Sequence, residues 1–103
     1  MIYTIDELIK RIAPVAEKYK LNAVYLFGSY ARGTATEDSD VDLLVDLYDS
    51  SVYESKMKGL YEDFHRAINK KIDLVTLGTL EHQAEGIYYK ISQRIMRESV
   101  KVY

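Results

Sequence analysis

The stretch from Phe27 to Asp46 constrains this chain more than any other part of it. It reads Phe-Gly-Ser-Tyr-Ala-Arg-Gly-Thr-Ala-Thr-Glu-Asp-Ser-Asp-Val-Asp-Leu-Leu-Val-Asp and links two apolar runs, Ala23 to Phe27 and Val41 to Leu47, each of strand length. Gly28-Ser29 follows the first run, and the Ser-Tyr-Ala-Arg segment behind it predicts a single helical turn. A helix start offers unpaired N–H donors and partial positive charge, which suit a phosphate, and a glycine lets a ligand approach the backbone closely. After ten intervening residues, Asp40 and Asp42 open the second run. Residues two apart in a strand project from one face with Cα atoms about 7 Å apart, so both carboxylates point the same way. At that spacing, with an effective dielectric of about 20, their charges repel by about 2 kcal/mol. Stability alone does not account for such a pairing.

The surrounding charges are arranged to the same effect. Seven acidic residues lie between Gly33 and Ser55 (Glu37, Asp38, Asp40, Asp42, Asp46, Asp49 and Glu54) with no Lys or Arg among them, although the whole chain carries a net charge of only −2. A negative well beside a phosphate-binding turn is what divalent cations would neutralise, and Mg²⁺ favours a few carboxylates together with substrate phosphate oxygens. A third acid, Asp73, interrupts the apolar run Lys71 to Leu77, where a carboxylate needs a partner or a purpose. From the residues alone, a structural salt bridge and a share in the acid cluster are both open to it.

Gly28-Ser29, ten residues, then Asp40-x-Asp42 resembles the signature of the DNA polymerase β-type nucleotidyltransferases. The fuller pattern, Gly-Ser-Tyr-Ala-Arg-Gly with Ser-Asp-Val-Asp-Leu-Leu-Val, is similar to the minimal nucleotidyltransferases, including the MntA-type antitoxins that pair with a HEPN-domain partner. The resemblance spans essentially the whole chain. It implies an α/β (α+β) fold, a small mixed β-sheet of three to four strands flanked by helices. It also implies Mg-dependent transfer of AMP from ATP with release of pyrophosphate, with Asp40, Asp42 and Asp73 as catalytic carboxylates holding two Mg²⁺ ions. Gly28 and Ser29 would bind the nucleotide, and Arg32 and Ser39 are further candidates. Arg32 could equally pair with the acidic loop, and Ser39 could serve only the turn before Asp40.

The acceptor that the resemblance implies is a tyrosine hydroxyl on a HEPN-family RNase toxin, which would make this chain an antitoxin. Two other functions compete: a non-catalytic antitoxin acting by contact, and a small-molecule nucleotidyltransferase. The three carboxylates and Gly28-Ser29 are all present, with no sign of decay, and 103 residues leave little room for an added substrate-binding domain.

Length also predicts one domain over residues 1–103, burying roughly two thirds of the extended chain's surface. The absence of Cys excludes a disulfide framework and a thiolate metal site, and is compatible with a cytoplasmic setting. The apolar runs are strand-sized, far short of the roughly 20 residues that span a bilayer, so no membrane association is expected. Mild net acidity argues against direct nucleic-acid binding, and homo-oligomerisation is left open.

Other motifs carry less. Gly28-x-x-x-x-Gly33 has P-loop glycine spacing, but Thr34 stands where the phosphate-binding Lys is required. Asp38-x-Asp40-x-Asp42 mimics the start of an EF-hand loop, but Leu43 replaces its turn glycine. His65 and His82 lack metal-ligand spacing, and ordinary burial with the hydroxyl at the edge accounts for most of the ten tyrosines.

Periodicity predicts a first helix over about Thr4 to Lys20, with a kink or two abutting helices at Pro14. Gly33 should end the short helix after Ser29, and Asp46 reads as a strand-end surface acid. A second long helix is expected from Ser50 to Ile68, closed by Asn69-Lys70, then a strand from Lys71 to Leu77. A last helix should start near Thr79, and the tail from Ser99 to Tyr103 should add an edge strand.

Overall fold

The computed structural model describes residues 2–48, 56–77 and 93–103. Helix α1 (Ile5–Lys18) starts on a reciprocal capping box: the Thr4 hydroxyl accepts the Glu7 N–H at 3.1 Å, and the Glu7 carboxylate accepts the Thr4 N–H at 3.0 Å. The break expected at Pro14 does not divide it, and α1 runs through the proline as one helix. Pro14 withholds the N–H that would serve the Lys10 carbonyl, and both residues lie on the exposed side of the helix, where losing that bond costs least.

Strand β1 (Ala23–Phe27) leads directly into the five-residue helix α2 (Gly28–Arg32), which Gly33 ends in a left-handed conformation. Strand β2 (Val41–Asp46) follows the acidic loop, then helix α3 (Met57–Ile68), strand β3 (Ile72–Thr76) and the short strand β4 (Val100–Lys101). Asn69 closes α3 at φ 58°, as its position in the sequence predicts. The expected extension of α3 back to Ser50, and the start of the last helix at Thr79, lie outside the described residues. So do His82 and, among the tyrosines, Tyr53, Tyr88 and Tyr89. Residues 93–98 are helical.

The four strands form one mixed sheet in the order β3-β2-β1-β4, with β1 antiparallel to β2 and β4, and β2 parallel to β3. The tail does form the expected edge strand. Helices α1 and α3 cover one face of this sheet, where Val24, Leu26, Val41, Leu43 and Val45 meet Leu8, Ile12, Leu60, Phe64 and Ile68. Full burial of each large side chain contributes about 1.5–3 kcal/mol, which makes this face the main source of stability. Gly59 marks where the two helices come together, because a Cβ there would sit 3.2 Å from the Tyr19 hydroxyl. That hydroxyl donates to Asp63 at 2.7 Å, and Lys18 pairs with the same carboxylate at 2.8 Å.

Strand alternation sends the other residues to the opposite face. Phe27 and Leu44 are buried there with Tyr25, Val75, Leu77 and Ile95 around them. Asp42 shares the parity of Leu44, and Asp73 that of Val75. The acids therefore lie on the face that α1 and α3 leave free.

Candidate active site

The ladder between β2 and β3 pairs Asp42 with Asp73, and neighbouring strands lie about 4.8 Å apart. In a parallel ladder, paired residues project to the same side. Asp40 sits two residues before Asp42, at the entrance to β2. Three carboxylates thus gather at one end of the sheet, beside the exit of β1. Their electrostatic cost falls mainly on Asp42, whose carboxyl is pushed up from 3.8 to about 6 by burial, then by the Asp73 and Asp40 charges, with Arg32 opposing. No hydrogen-bond donor reaches the Asp42 carboxylate among the described residues.

Gly28 makes that placement physically possible. The antiparallel register sets Phe27 opposite Asp42, so the next residue turns directly over the carboxylate. Gly28 has φ 72°, and a Cβ on it would collide with the Asp42 carboxylate, approaching its Cγ to 2.9 Å. Both the left-handed backbone and the missing side chain are required here. Ser29 is half-buried, and its carbonyl accepts the Thr34 N–H at 3.0 Å, which tightens the turn. Its hydroxyl has no hydrogen-bond partner among the described residues.

The remaining candidates fall less centrally. Ser39 binds the loop that delivers Asp40: its hydroxyl accepts the Thr36 N–H at 2.8 Å, and its own N–H donates to the Thr36 carbonyl at 3.1 Å. Arg32 pairs with Glu98 at 3.2 Å rather than with the acidic loop, while remaining close enough to act on Asp42. Asp46 stays outside the cluster as expected, accepting the Asn22 amide at 2.7 Å and the Tyr48 N–H at 3.0 Å. His65 stacks on Tyr61 with ring centroids 6.3 Å apart, a packing role. Lys71, which nothing in the sequence links to the site except its parity with Asp73, lies 4.0 Å from Asp40.

Among the described residues, Asp40, Asp42 and Asp73 included, no three His, Cys, Asp or Glu side chains stand together as a ready-made metal site. Magnesium does not need one, because it is held by one or two carboxylates and keeps its other positions for water and phosphate oxygens. The partial exposure of Asp40 and Asp42, the exposure of Asp73 and the acceptor-only chemistry of the three acids fit such an ion. No helix among the described residues is long and apolar enough to cross a membrane.

Comparison with known proteins identifies the family. The profile of the family described as polymerase beta, nucleotidyltransferase matches residues 10–101. A provisionally named protein adenylyltransferase of Methanocaldococcus jannaschii is 38% identical over 77 residues, covering 75% of this chain and 78% of that protein. Protein adenylyltransferase MntA of Thermococcus cleftensis is 34% identical over 86 residues, covering 84% and 79% of the two chains. Among solved structures, the complex of a tri-AMPylated Shewanella oneidensis HEPN toxin with its MNT antitoxin shares the fold, with a TM-score of 0.63 at 18% identity over 96% of this chain and 71% of that one. From the Gly28 turn, the paired acids and these likenesses together, the chain belongs to the polymerase β nucleotidyltransferase family, whose reaction uses a nucleoside triphosphate and a divalent metal.

Proposed function

We propose that this protein transfers AMP from ATP to a hydroxyl of a protein partner, a tyrosine of a HEPN-family toxin, and thereby acts as its antitoxin. The observation that carries the reading is Asp42, held against the Gly28 turn with Asp73 registered beside it and Asp40 two residues before it. The names of the relatives support the acceptor class, since they describe protein adenylyltransferases and an AMPylated HEPN toxin.

Asp40 and Asp42 would hold two magnesium ions, with Asp73 completing the ligands on the acceptor side. Bound there, the metal neutralises negative charge and polarises the α-phosphoryl group. The chain's own groups do the rest. The Ser29 hydroxyl and the N–H groups of its turn bind the triphosphate, and Arg32 adds positive charge at its edge. Ser39 acts through the loop that presents Asp40. Asp73, the most exposed of the three acids, accepts the acceptor hydroxyl's proton as its oxygen attacks the α-phosphorus. The new P–O bond forms in line with the bond that breaks, and pyrophosphate leaves with that electron pair. Most of the acceleration comes from positioning and from charge already in place.

The test uses ATP labelled at the α-phosphate, a candidate HEPN partner, and either Mg²⁺ or EDTA. Metal-dependent label on the partner, lost in a folded Asp42→Asn variant, is the expected result. Complex formation without label would establish a contact-only antitoxin instead, and label in a low-mass product alone would establish a small-molecule enzyme.

A further inference from the structure

Arg32 and Glu98 are 66 residues apart in sequence, yet the tail brings them together. Strand β4 runs antiparallel to β1 with Val100 opposite Leu26, so the residues just before Val100 pass the exit of β1, where α2 begins. Glu98 ends the helical segment 93–98 at that point. Its Oε2 accepts Arg32 Nη1 at 3.2 Å, and its Oε1 accepts Arg94 Nε at 3.0 Å. The two arginines hold the Glu98 carboxyl below its usual range, the Arg94 hydrogen bond foremost.

We infer that Glu98 is a positioning residue for Arg32, fixing its guanidinium at the edge of the Gly28–Ser29 turn in readiness for the triphosphate. This rests on the nucleotide-binding reading of Arg32 above. Three features favour it. A free arginine side chain must lose much rotamer freedom to meet a phosphate, and a partner that orients it beforehand removes part of that cost. A single Glu would also cancel the charge it orients, but Arg94 takes the other carboxylate oxygen, so the group of three keeps one net positive charge. Finally, only Nη1 of Arg32 is engaged by Glu98, and its other N–H donors have no partner among the described residues. Partly exposed ion pairs contribute little to folding, so a stabilising role alone gives this arrangement little reason to exist.

The experiment titrates a non-hydrolysable ATP analogue with Mg²⁺ into the full-length wild type, Glu98→Ala, Glu98→Gln, Arg32→Ala and the Glu98→Ala/Arg32→Ala double variant, with urea unfolding run in parallel. Arg32→Ala should weaken binding about tenfold or more, the size of a hydrogen bond to a charged group. Glu98→Ala should weaken it about 2- to 5-fold, the scale of a partly exposed ion pair, and Glu98→Gln by less. The decisive arm is the double variant, which should bind no worse than Arg32→Ala alone. Tighter binding by Glu98→Ala would make Glu98 a competitor for Arg32 and overturn the inference. Additive losses in the double variant would overturn it too, because Glu98 would then act independently of Arg32. An unaffected Arg32→Ala removes both the inference and the role of Arg32, but leaves the transfer reaction standing. Absence of saturable binding by the wild type overturns both the inference and the proposed function.

Discussion

Asp42 should be held in place at a measurable cost to stability. Its carboxyl titrates near 6 in the folded chain against 3.8 as a free side chain, and each pKa unit is worth about 1.4 kcal/mol, so ionised Asp42 destabilises the metal-free protein by about 3 kcal/mol at most. Solvent reaches part of this half-buried group and screens the neighbouring charges, leaving about 1–3 kcal/mol. Because the folded value lies above the unfolded one, the native state favours the protonated form. Its contribution is fully present below about pH 3.8, and is lost as the pH rises through about 6. Asp42→Asn is nearly isosteric and breaks no hydrogen bond among the described residues. In EDTA near pH 8 it should therefore unfold at higher urea concentration than the wild type, with an unchanged m-value. The gain should shrink to nothing as the pH approaches the unfolded value. Adding Mg²⁺ with ATP should raise the wild-type midpoint and leave the variant where it was. A variant no more stable than the wild type near pH 8, or a gain that persists undiminished in acid, would falsify the account of strained carboxylates.

Two further comparisons isolate single features of the fold. Gly28→Ala and Gly33→Ala both force a left-handed backbone on an L-residue, at about 1–2 kcal/mol each. Of the two, Gly28 also faces the Asp42 carboxylate, so Gly28→Ala should cost clearly more in urea unfolding and abolish transfer, whereas no atom of the described residues lies within 4 Å of the Gly33 Cβ position. The buried tyrosines give an opposite pair. The Tyr30 hydroxyl is buried without a hydrogen-bond partner among the described residues, so Tyr30→Phe should stabilise by up to about 1 kcal/mol. The Tyr3 hydroxyl donates to the Ile68 carbonyl at 2.6 Å, so Tyr3→Phe should cost about 1–2 kcal/mol. Equal effects within either pair would contradict these assignments.

Much of the site is legible because its parts are local. Gly28, Ser29 and the Asp40-x-Asp42 spacing lie within one strand-turn-strand passage, and strand parity alone puts the two acids on one side. Thr4, Gly33 and Asn69 act as caps from sequence position, since capping is decided by the nearest few residues. Pro14 is less readable: whether a helix continues past a proline depends on how buried that stretch is in the fold, and here Pro14 and Lys10 are both exposed.

What the chain's order of residues cannot decide is which distant groups meet. Asp73 could have served a salt bridge, and only the parallel register of β2 and β3 sets it beside Asp42. The collision that reserves position 28 for glycine exists only because β1 and β2 pair Phe27 with Asp42. Arg32 finds Glu98, and not the acidic loop nearer to it in sequence, because β4 returns antiparallel along β1 and carries the tail past α2. Propensity, capping and parity act over a few residues and can be read along the chain. Charge, burial and steric contact act through space, and strand pairing decides the spacing over which they act.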